Sequence, residues 1–398
     1  MKLISFIGLI VMMILAWAIS SDKKRMNFRL ILSGVVIQFI FAILILWTRP
    51  GKLVFEGARF TVAKIIGFSD VGAEFVFGPS FKDHFFAFSV LPTIIFVSAV
   101  MAILFHLGVM QFIVKGIAKV MVKIMDTSGS ESLAAAANIF IGQTEAPLVI
   151  KPYIETMTSS EIMAMMTSGM ATVAGGVMAA YAGLGANAGH LLAASIMSAP
   201  ASLVIAKIIL PEKEISPTKG VVKLVIPKKD ANILDAACRG ASEGLKLALN
   251  VAAMLIAFIA IIQLMNWGFE LFPKVHGAHL SLQRILGWCF SPIAWLLGVE
   301  WKDALTVGSL LGEKTILNEF IAYRDLIKFK EAISPRSFTI ATYALCGFAN
   351  FSSIAIQIGG IGSLIPSRRK DFAKLGLKAM IGGTLAAFMT AAIAGILI

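Results

Sequence analysis

Residues 162 to 206 form an uninterrupted run of 45 without an Asp, Glu, Lys or Arg. At a rise of about 1.5 Å per residue, one helix of that length would reach about 68 Å, more than twice a hydrocarbon core of about 30 Å. The run therefore holds two spans and a turn, and the turn falls at 183–189, where Gly183, Gly185, Asn187 and Gly189 cluster. Such a chain folds in a bilayer, where every backbone polar group must be satisfied inside the protein.

The rest of the sequence agrees. Hydrophobic residues make up 58% and charged residues 15%, against about 25% charge in soluble domains, and mean hydropathy is +0.86. Further spans are predicted at 3–19, 30–47, 85–113, 247–267, 338–358 and 375–398, which with 162–186 and 190–210 make eight. The first also has the outline of a signal peptide, but the run Asp22-Lys23-Lys24-Arg25 directly behind it favours a retained anchor.

Net charge is +12, yet the basic residues sit in short loops at 23–29, 115–123, 213–229 and 368–378 rather than on one domain, which argues against nucleic acid as a partner. With one re-entrant hairpin opening to each side, all four clusters fall on the same side, predicted cytoplasmic, and both termini lie outside. Arg324, Lys328, Lys330 and Arg336 fall on the other side, mixed with Asp325 and Glu331. Two segments read as interfacial helices: Lys115, Lys119 and Lys123 form a basic stripe, and Asp235, Arg239, Glu243 and Lys246 share a face. Cys238, Cys289 and Cys346 have no metal or redox spacing and read as membrane-buried hydrophobes. His106, His190 and His276 read as packing or interfacial residues.

The polar chemistry concentrates at two interruptions. In AAAANIFIGQTEAPL, residues 134–148, an apolar arm of about a dozen residues rises about 18 Å and meets Gly142, Gln143, Thr144, Glu145 and Pro147. It cannot span, and a carboxylate at membrane depth is tolerable where it lines a cavity inside protein, so the segment reads as a re-entrant hairpin with a polar tip. Asn318 and Glu319 occupy a second short arm behind Gly312. Each glutamate precedes a Gly-x-Ala-polar element, Gly169 to Thr172 at 24 residues and Gly347 to Asn350 at 28. Each copy is hairpin, interrupted span and closing span. An odd number of spans separates the copies, so they form an inverted repeat whose tips meet near the midplane.

Four motifs, Gly142-Gln-Thr-Glu-Ala-Pro-Leu148, Ala174-Gly-Gly-Val177, Leu317-Asn-Glu-Phe320 and Gly347-Phe-Ala-Asn-Phe-Ser-Ser353, stand in an order that resembles the concentrative nucleoside transporter family in its bacterial, sodium-coupled form. The resemblance runs from about Phe85 onward, with the two N-terminal helices agreeing in pattern. It implies an all-α polytopic membrane protein with eight transmembrane helices, two opposed re-entrant hairpins and interfacial helices. It also implies a homotrimer, held by helices near 85–113 and 247–267, in the bacterial plasma (inner) membrane. Expected units are 1–125 (N-terminal helices and scaffold), 126–210 (first repeat), 211–285 (loop, interfacial helix and scaffold span) and 286–398 (second repeat).

Carried over by motif, Gln143, Thr144 and Glu145 would contact a nucleobase with Val177 packed against it. Glu319, Asn350 and Ser353 would hold ribose hydroxyls, with Phe348 nearby. The implied substrates are nucleosides of the uridine, cytidine and adenosine class. A coupling sodium would lie at the side chains of Asn138 and Thr172 and the carbonyls of Ile141 and Val173, and no cofactor is implied. The chemistry fits: a neutral, polar solute needs a few directed hydrogen bonds in an apolar pocket, and a hard cation takes neutral oxygens. The alternatives are a proton-coupled nucleoside transporter and an ion channel. An intramembrane enzyme or a primary pump would need a GxSxG, HExxH or Walker-type element, which the chain lacks.

Overall fold

The structure is a computed structural model, and it describes residues 1–84, 86–221, 230–275, 277 and 279–398; His276, Phe85 and residues 222–229 of the third basic cluster lie outside the described residues. The described chain is helical, with no strand element; Ser128 and Lys219 form an isolated bridge. The helices are α1 (Lys2–Ala18), α2 (Phe28–Trp47), α3 (Arg49–Phe77), α4 (Leu91–His106), α5 (Val109–Met125), α6 (Gly129–Asn138), α7 (Ala146–Val149), α8 (Lys151–Ile154) and α9 (Ser159–Ala171). Then follow α10 (Gly175–Leu184), α11 (Ala188–Ile209), α12 (Ile233–Phe269), α13 (Leu282–Leu296), α14 (Trp301–Ile316), α15 (Glu319–Lys328), α16 (Pro335–Leu345), α17 (Phe351–Leu364) and α18 (Arg369–Leu397).

Among the described residues, six helical segments are long and apolar enough to cross a membrane: Phe28–Trp47, Phe86–His106, Ser159–Leu184, Ala188–Ile209, Ile233–Phe269 and Pro366–Leu397. At 17 residues α1 is marginal, and the expected 338–358 span is two half-helices, α16 and α17, separated at residues 346–350. The turn expected at 183–189 stands where α10 ends on Gly185 (φ 118°) and α11 starts at Ala188.

Three expectations change. The third span ends at His106, because Gly108 in the left-handed region (φ 81°) turns the chain into α5 before residue 113. The surface segment expected at 235–246 and the span after it are one 37-residue helix, α12. Of the three cysteines, Cys346 is buried within the protein and Cys238 and Cys289 lie on the surface of the isolated chain. A 29-residue helix, α3, also fills a stretch to which no span was assigned.

Burial divides the bundle. Of the most apolar stretches, 94% is buried in Ser159–Leu184 and 89% in both Ala188–Ile209 and Pro366–Leu397, against 28% in Phe28–Trp47, 33% in Phe86–His106 and 17% in Ile233–Phe269. The second repeat's closing helix α18 and the first repeat's α9 and α11 therefore form the interior, and α2, α4 and α12 a rim. The α4–α12 seam is made of small residues: Ala236, Gly240, Gly244 and Ala248 recur every four positions on the buried face of α12. A Cβ at Gly244 would stand 2.8 Å from the Ile95 Cα and the Ser98 Cβ, so the helices approach to backbone contact.

At the foot of the first hairpin, Ser128 and Thr158 each cap a helix through a capping box with Glu131 and Glu161. The Lys207 ammonium of α11 pairs there with Glu131 at 2.8 Å and Glu212 at 3.1 Å. Glu161 accepts from Ser130 (2.9 Å) and Ser216 (2.6 Å), which fastens the hairpin to the following loop. In the loops beyond the spans, the ammonium of Lys213 lies 3.1 Å from Asp22 and holds that carboxyl below the usual carboxylate range.

Candidate functional site

Two helices broken within their apolar length expose backbone that a continuous helix would satisfy, and the fold brings both breaks to one hairpin tip. The first break lies between α9 and α10, where Thr172 turns extended (ψ 172°). The second lies between α16 and α17, where Gly347 has φ 145°. They meet directly: the Phe348 N–H donates to the Thr172 carbonyl at 3.2 Å. A Cβ at Gly347 would stand 2.9 Å from the Met170 carbonyl oxygen, so both the dihedral and the approach require glycine. The tip joins through the Gly175 N–H, which donates to the Phe140 carbonyl at 3.0 Å.

Glu319 opens α15 directly behind Asn318, whose side chain caps that helix. Its carboxylate accepts from the Tyr181 hydroxyl at 2.8 Å and from the Asn350 amide at 2.9 Å. Asn350 is the N-cap of α17, and its Oδ1 accepts from the Ser353 N–H at 2.9 Å. Ser353 Oγ accepts from the Gln143 amide at 3.0 Å, and Gln143 Oε1 accepts from the Gln357 amide at 2.9 Å. Phe348 is half-buried in the break, and Thr144 packs on Gly360 of α17. Gln143, Thr144, Glu319, Phe348, Asn350 and Ser353 thus form one cluster spanning both repeats.

Glu145 borders a cavity beside that cluster. Glu145 is exposed, turns back to accept from the Gly142 N–H at 3.3 Å, and lines a cavity of about 840 Å³ with Phe140, Ile141 and the Ala174–Gly176 segment. Val177 is buried one position beyond that segment. Lys115, Lys151 and Arg239 line the charged end of the cavity, whose volume suits a small-molecule site.

Two of the residues expected to bind the ion, Asn138 and Thr172, meet at Ser168. The Asn138 amide donates to Ser168 Oγ at 3.1 Å, and the Thr172 hydroxyl donates to the Ser168 carbonyl at 2.9 Å. Asn138 Oδ1 is buried and has no hydrogen-bond partner among the described residues. An orphaned amide oxygen beside a helix break is a donor set that fits a hard cation.

Three members of this constellation were missed from sequence: Tyr181, Gln357 and Ser168. Each lies four residues from a recognised one, Val177, Ser353 and Thr172, on the same helix face. Aromatic rings cover the cluster on the side of the α10–α11 turn: Tyr181 stacks on Tyr323 at 4.4 Å and meets Phe320 edge-on at 5.5 Å, and Phe320 in turn meets Phe86 at 5.4 Å. His190 contacts the Tyr343 hydroxyl at 3.2 Å, in keeping with a packing role.

Three families cover nearly the whole chain: Na+ dependent nucleoside transporter N-terminus at residues 7–80, nucleoside recognition (Gate) at 87–188, and Na+ dependent nucleoside transporter C-terminus at 190–395. The chain is 46% identical over 400 residues to the uncharacterized transporter YutK of Bacillus subtilis (strain 168), covering 98% of each. It is 44% identical to mouse solute carrier family 28 member 3 along its full length, which spans 59% of that relative. Among solved structures it superposes on CNTnw in an inward-facing substrate-bound state with TM-score 0.93 and 41% identity, covering 99% of this chain and 97% of the other. A doubly substituted CNTnw in an outward-facing state gives 0.92, with the same coverages and 40% identity.

Proposed function

This chain belongs to the Na+ dependent nucleoside transporter family, and on that premise we propose that it is a symporter that imports nucleosides down a sodium gradient across a bacterial plasma membrane. Glu319, Asn350 and Ser353 take the ribose hydroxyls, with Phe348 beside the sugar. Gln143, Thr144 and Glu145 take the base, with Val177 packed against it. Two donors occupy Glu319, and a carboxylate has about four acceptor positions, so hydroxyl donors still find acceptors there. Sodium binds as co-substrate at Asn138, Thr172 and the Ile141 and Val173 carbonyls. The observation that carries this reading is the orphaned Asn138 Oδ1 beside the Thr172 break, on the same tip that presents Gln143 and Glu145.

The cavity at Glu145 is lined by Lys115 of the second basic cluster and by Lys151, Arg239, Asp230 and Glu243, while Tyr181, which holds Glu319, packs among the rings of Tyr323 and Phe320. In this reading the conformation is inward-open, and residues 126–210 with 286–398 move against a scaffold of 1–125 and 211–285. The scaffold helices α4 and α12 hold a homotrimer. Calorimetric titration of uridine into purified protein tests coupling: affinity must rise with sodium, and sodium affinity must rise with uridine by the same factor. An affinity indifferent to sodium but steep in pH would transfer the reading to proton coupling.

A further inference from the structure

The two ends of a primary amide are nearly alike in shape and opposite in hydrogen bonding, so a glutamine beside a hydroxyl can stand either way round. At the tip, Gln143 Nε2 donates to Ser353 Oγ at 3.0 Å, a contact that a turned amide would replace by accepting from the same hydroxyl. The other end of Gln143 breaks the tie. Gln357 of α17 is fully buried, and its Nε2 donates both to Gln143 Oε1 at 2.9 Å and to the Met166 carbonyl of α9 at 3.1 Å. A carbonyl only accepts, so the group of Gln357 that faces Met166 is its NH2, and the group of Gln143 that faces that NH2 is its oxygen. Turning Gln143 alone would set two NH2 groups against each other. Turning both amides would set an oxygen against the Met166 carbonyl.

The surroundings are built for this chain of contacts. A Cβ at Gly169 would stand 2.9 Å from both Gln143 Cβ and Gln357 Nε2, so a glycine lets α9 close on the two amides. Gln357 Oε1 is buried with no hydrogen-bond partner among the described residues. An unsatisfied buried acceptor is a cost that an apolar side chain of similar size would avoid, so packing alone does not account for a glutamine here. Its donor end does. Ser353 Oγ, having accepted from Gln143, keeps its own proton for a further acceptor.

We propose that Gln357 is a positioning residue that sets the polarity of base recognition: it holds Gln143 with its N–H donors turned to the Ser353 side, so the site selects nucleosides whose base presents a carbonyl oxygen or a bare ring nitrogen at that edge. Gln357 acts on the ligand through Gln143 alone. The proposal rests on the transport reading, which puts Gln143 at the base and Ser353 at the sugar.

The test is calorimetric titration of full-length purified protein at saturating sodium, with two readouts. The first is a cycle on uridine binding. Gln357→Leu should weaken binding about three- to tenfold, the range of one neutral hydrogen bond, and should change it by less than about 1.5-fold in a Gln143→Leu background, where no amide is left to orient. Equal losses in both backgrounds would make Gln357 a packing residue and overturn the proposal. The second readout is polarity. Uracil has its acceptors at O2 and O4, its N3 being a donor, and sulfur accepts weakly. Either 2-thiouridine or 4-thiouridine should therefore bind wild type less tightly than uridine, and that penalty should shrink by at least about half in Gln357→Leu. Gln357→Glu keeps the volume but has at most one proton for two acceptors, so it should lose the penalty too, and it decides the matter if Gln357→Leu does not fold. Thio analogues that both bind as uridine does, or a penalty that neither substitution changes, overturn the donor assignment. A wild type that binds no uridine sinks the transport reading and this proposal with it, whereas a wild type that binds uridine, with losses that simply add, sinks this proposal alone.

Discussion

Glu319 takes one hydrogen bond from a phenol and one from an amide, and those donors are themselves fixed, Tyr181 by stacking on Tyr323 and Asn350 by capping α17. The carboxylate is thus aimed before any ligand arrives. Removing the charge is expected to hurt more than removing one donor: Glu319→Gln should weaken uridine binding by at least about tenfold, since a hydrogen bond to a charged group contributes about 1.5–3 kcal/mol. Tyr181→Phe should cost less, because Asn350 still orients the carboxylate. Calorimetry of both variants checks the order, and a Glu319→Gln protein with wild-type affinity would remove the ribose assignment. Glu319, Asn350 and Ser353 were legible because they stand in matched motifs. Tyr181, Gln357 and Ser168 were not, because one polar residue in an apolar helix reads as packing until a partner is seen across the bundle.

Among elements, the foot of the first hairpin depends on charge and the rim on close packing. Lys207 holds two carboxylates while only 7% exposed, so Lys207→Met would leave Glu131 buried without its counter-charge. Breaking such a pair typically costs about 3–5 kcal/mol. The expected result is a marked fall in melting temperature, larger than for Lys213→Met, whose partner Asp22 is surface-exposed in part. On the rim, Gly244→Leu would drive a side chain into the Ile95–Ser98 backbone and part α12 from α4. Cysteines placed across that seam should cross-link in wild type and fail in the Gly244→Leu protein. The hairpins were legible from Gly142 and Pro147, where backbone chemistry interrupts hydropathy. The continuity of α12 was not, because Arg239 and Glu243 pair four residues apart along it and lower the apparent hydrophobicity of what is helix throughout. Helix α3 escaped for the same reason, with Arg49, Lys52, Glu56, Arg59 and Lys64 dispersed along it.

At the scale of the molecule, the interior consists of segments from both repeats and the rim consists of helices buried over a third of their apolar stretch or less. Single-cysteine labelling, in a background without Cys238, Cys289 and Cys346, should place residues 23–29 and the first turns of α18 at 369–378 inside the cell and the 185–187 turn outside. Labelling of residues 369–378 from outside intact cells would invert the proposed direction of the cavity. The inverted repeat was legible from the spacing of glutamates and glycines, whereas the direct contact between the two helix breaks was not, since periodicity within each copy carries no information about how the copies interlock. That contact has a consequence for biogenesis. The Thr172 carbonyl is met by the Phe348 N–H, about 175 residues later in the chain. At about 5–20 residues per second, synthesis leaves the first repeat in the bilayer with its break uncapped for roughly 9–35 s. A ribosome paused between the repeats therefore holds a membrane-inserted half whose polar centre has no mate, the form in which insertion chaperones and quality-control proteases would encounter it.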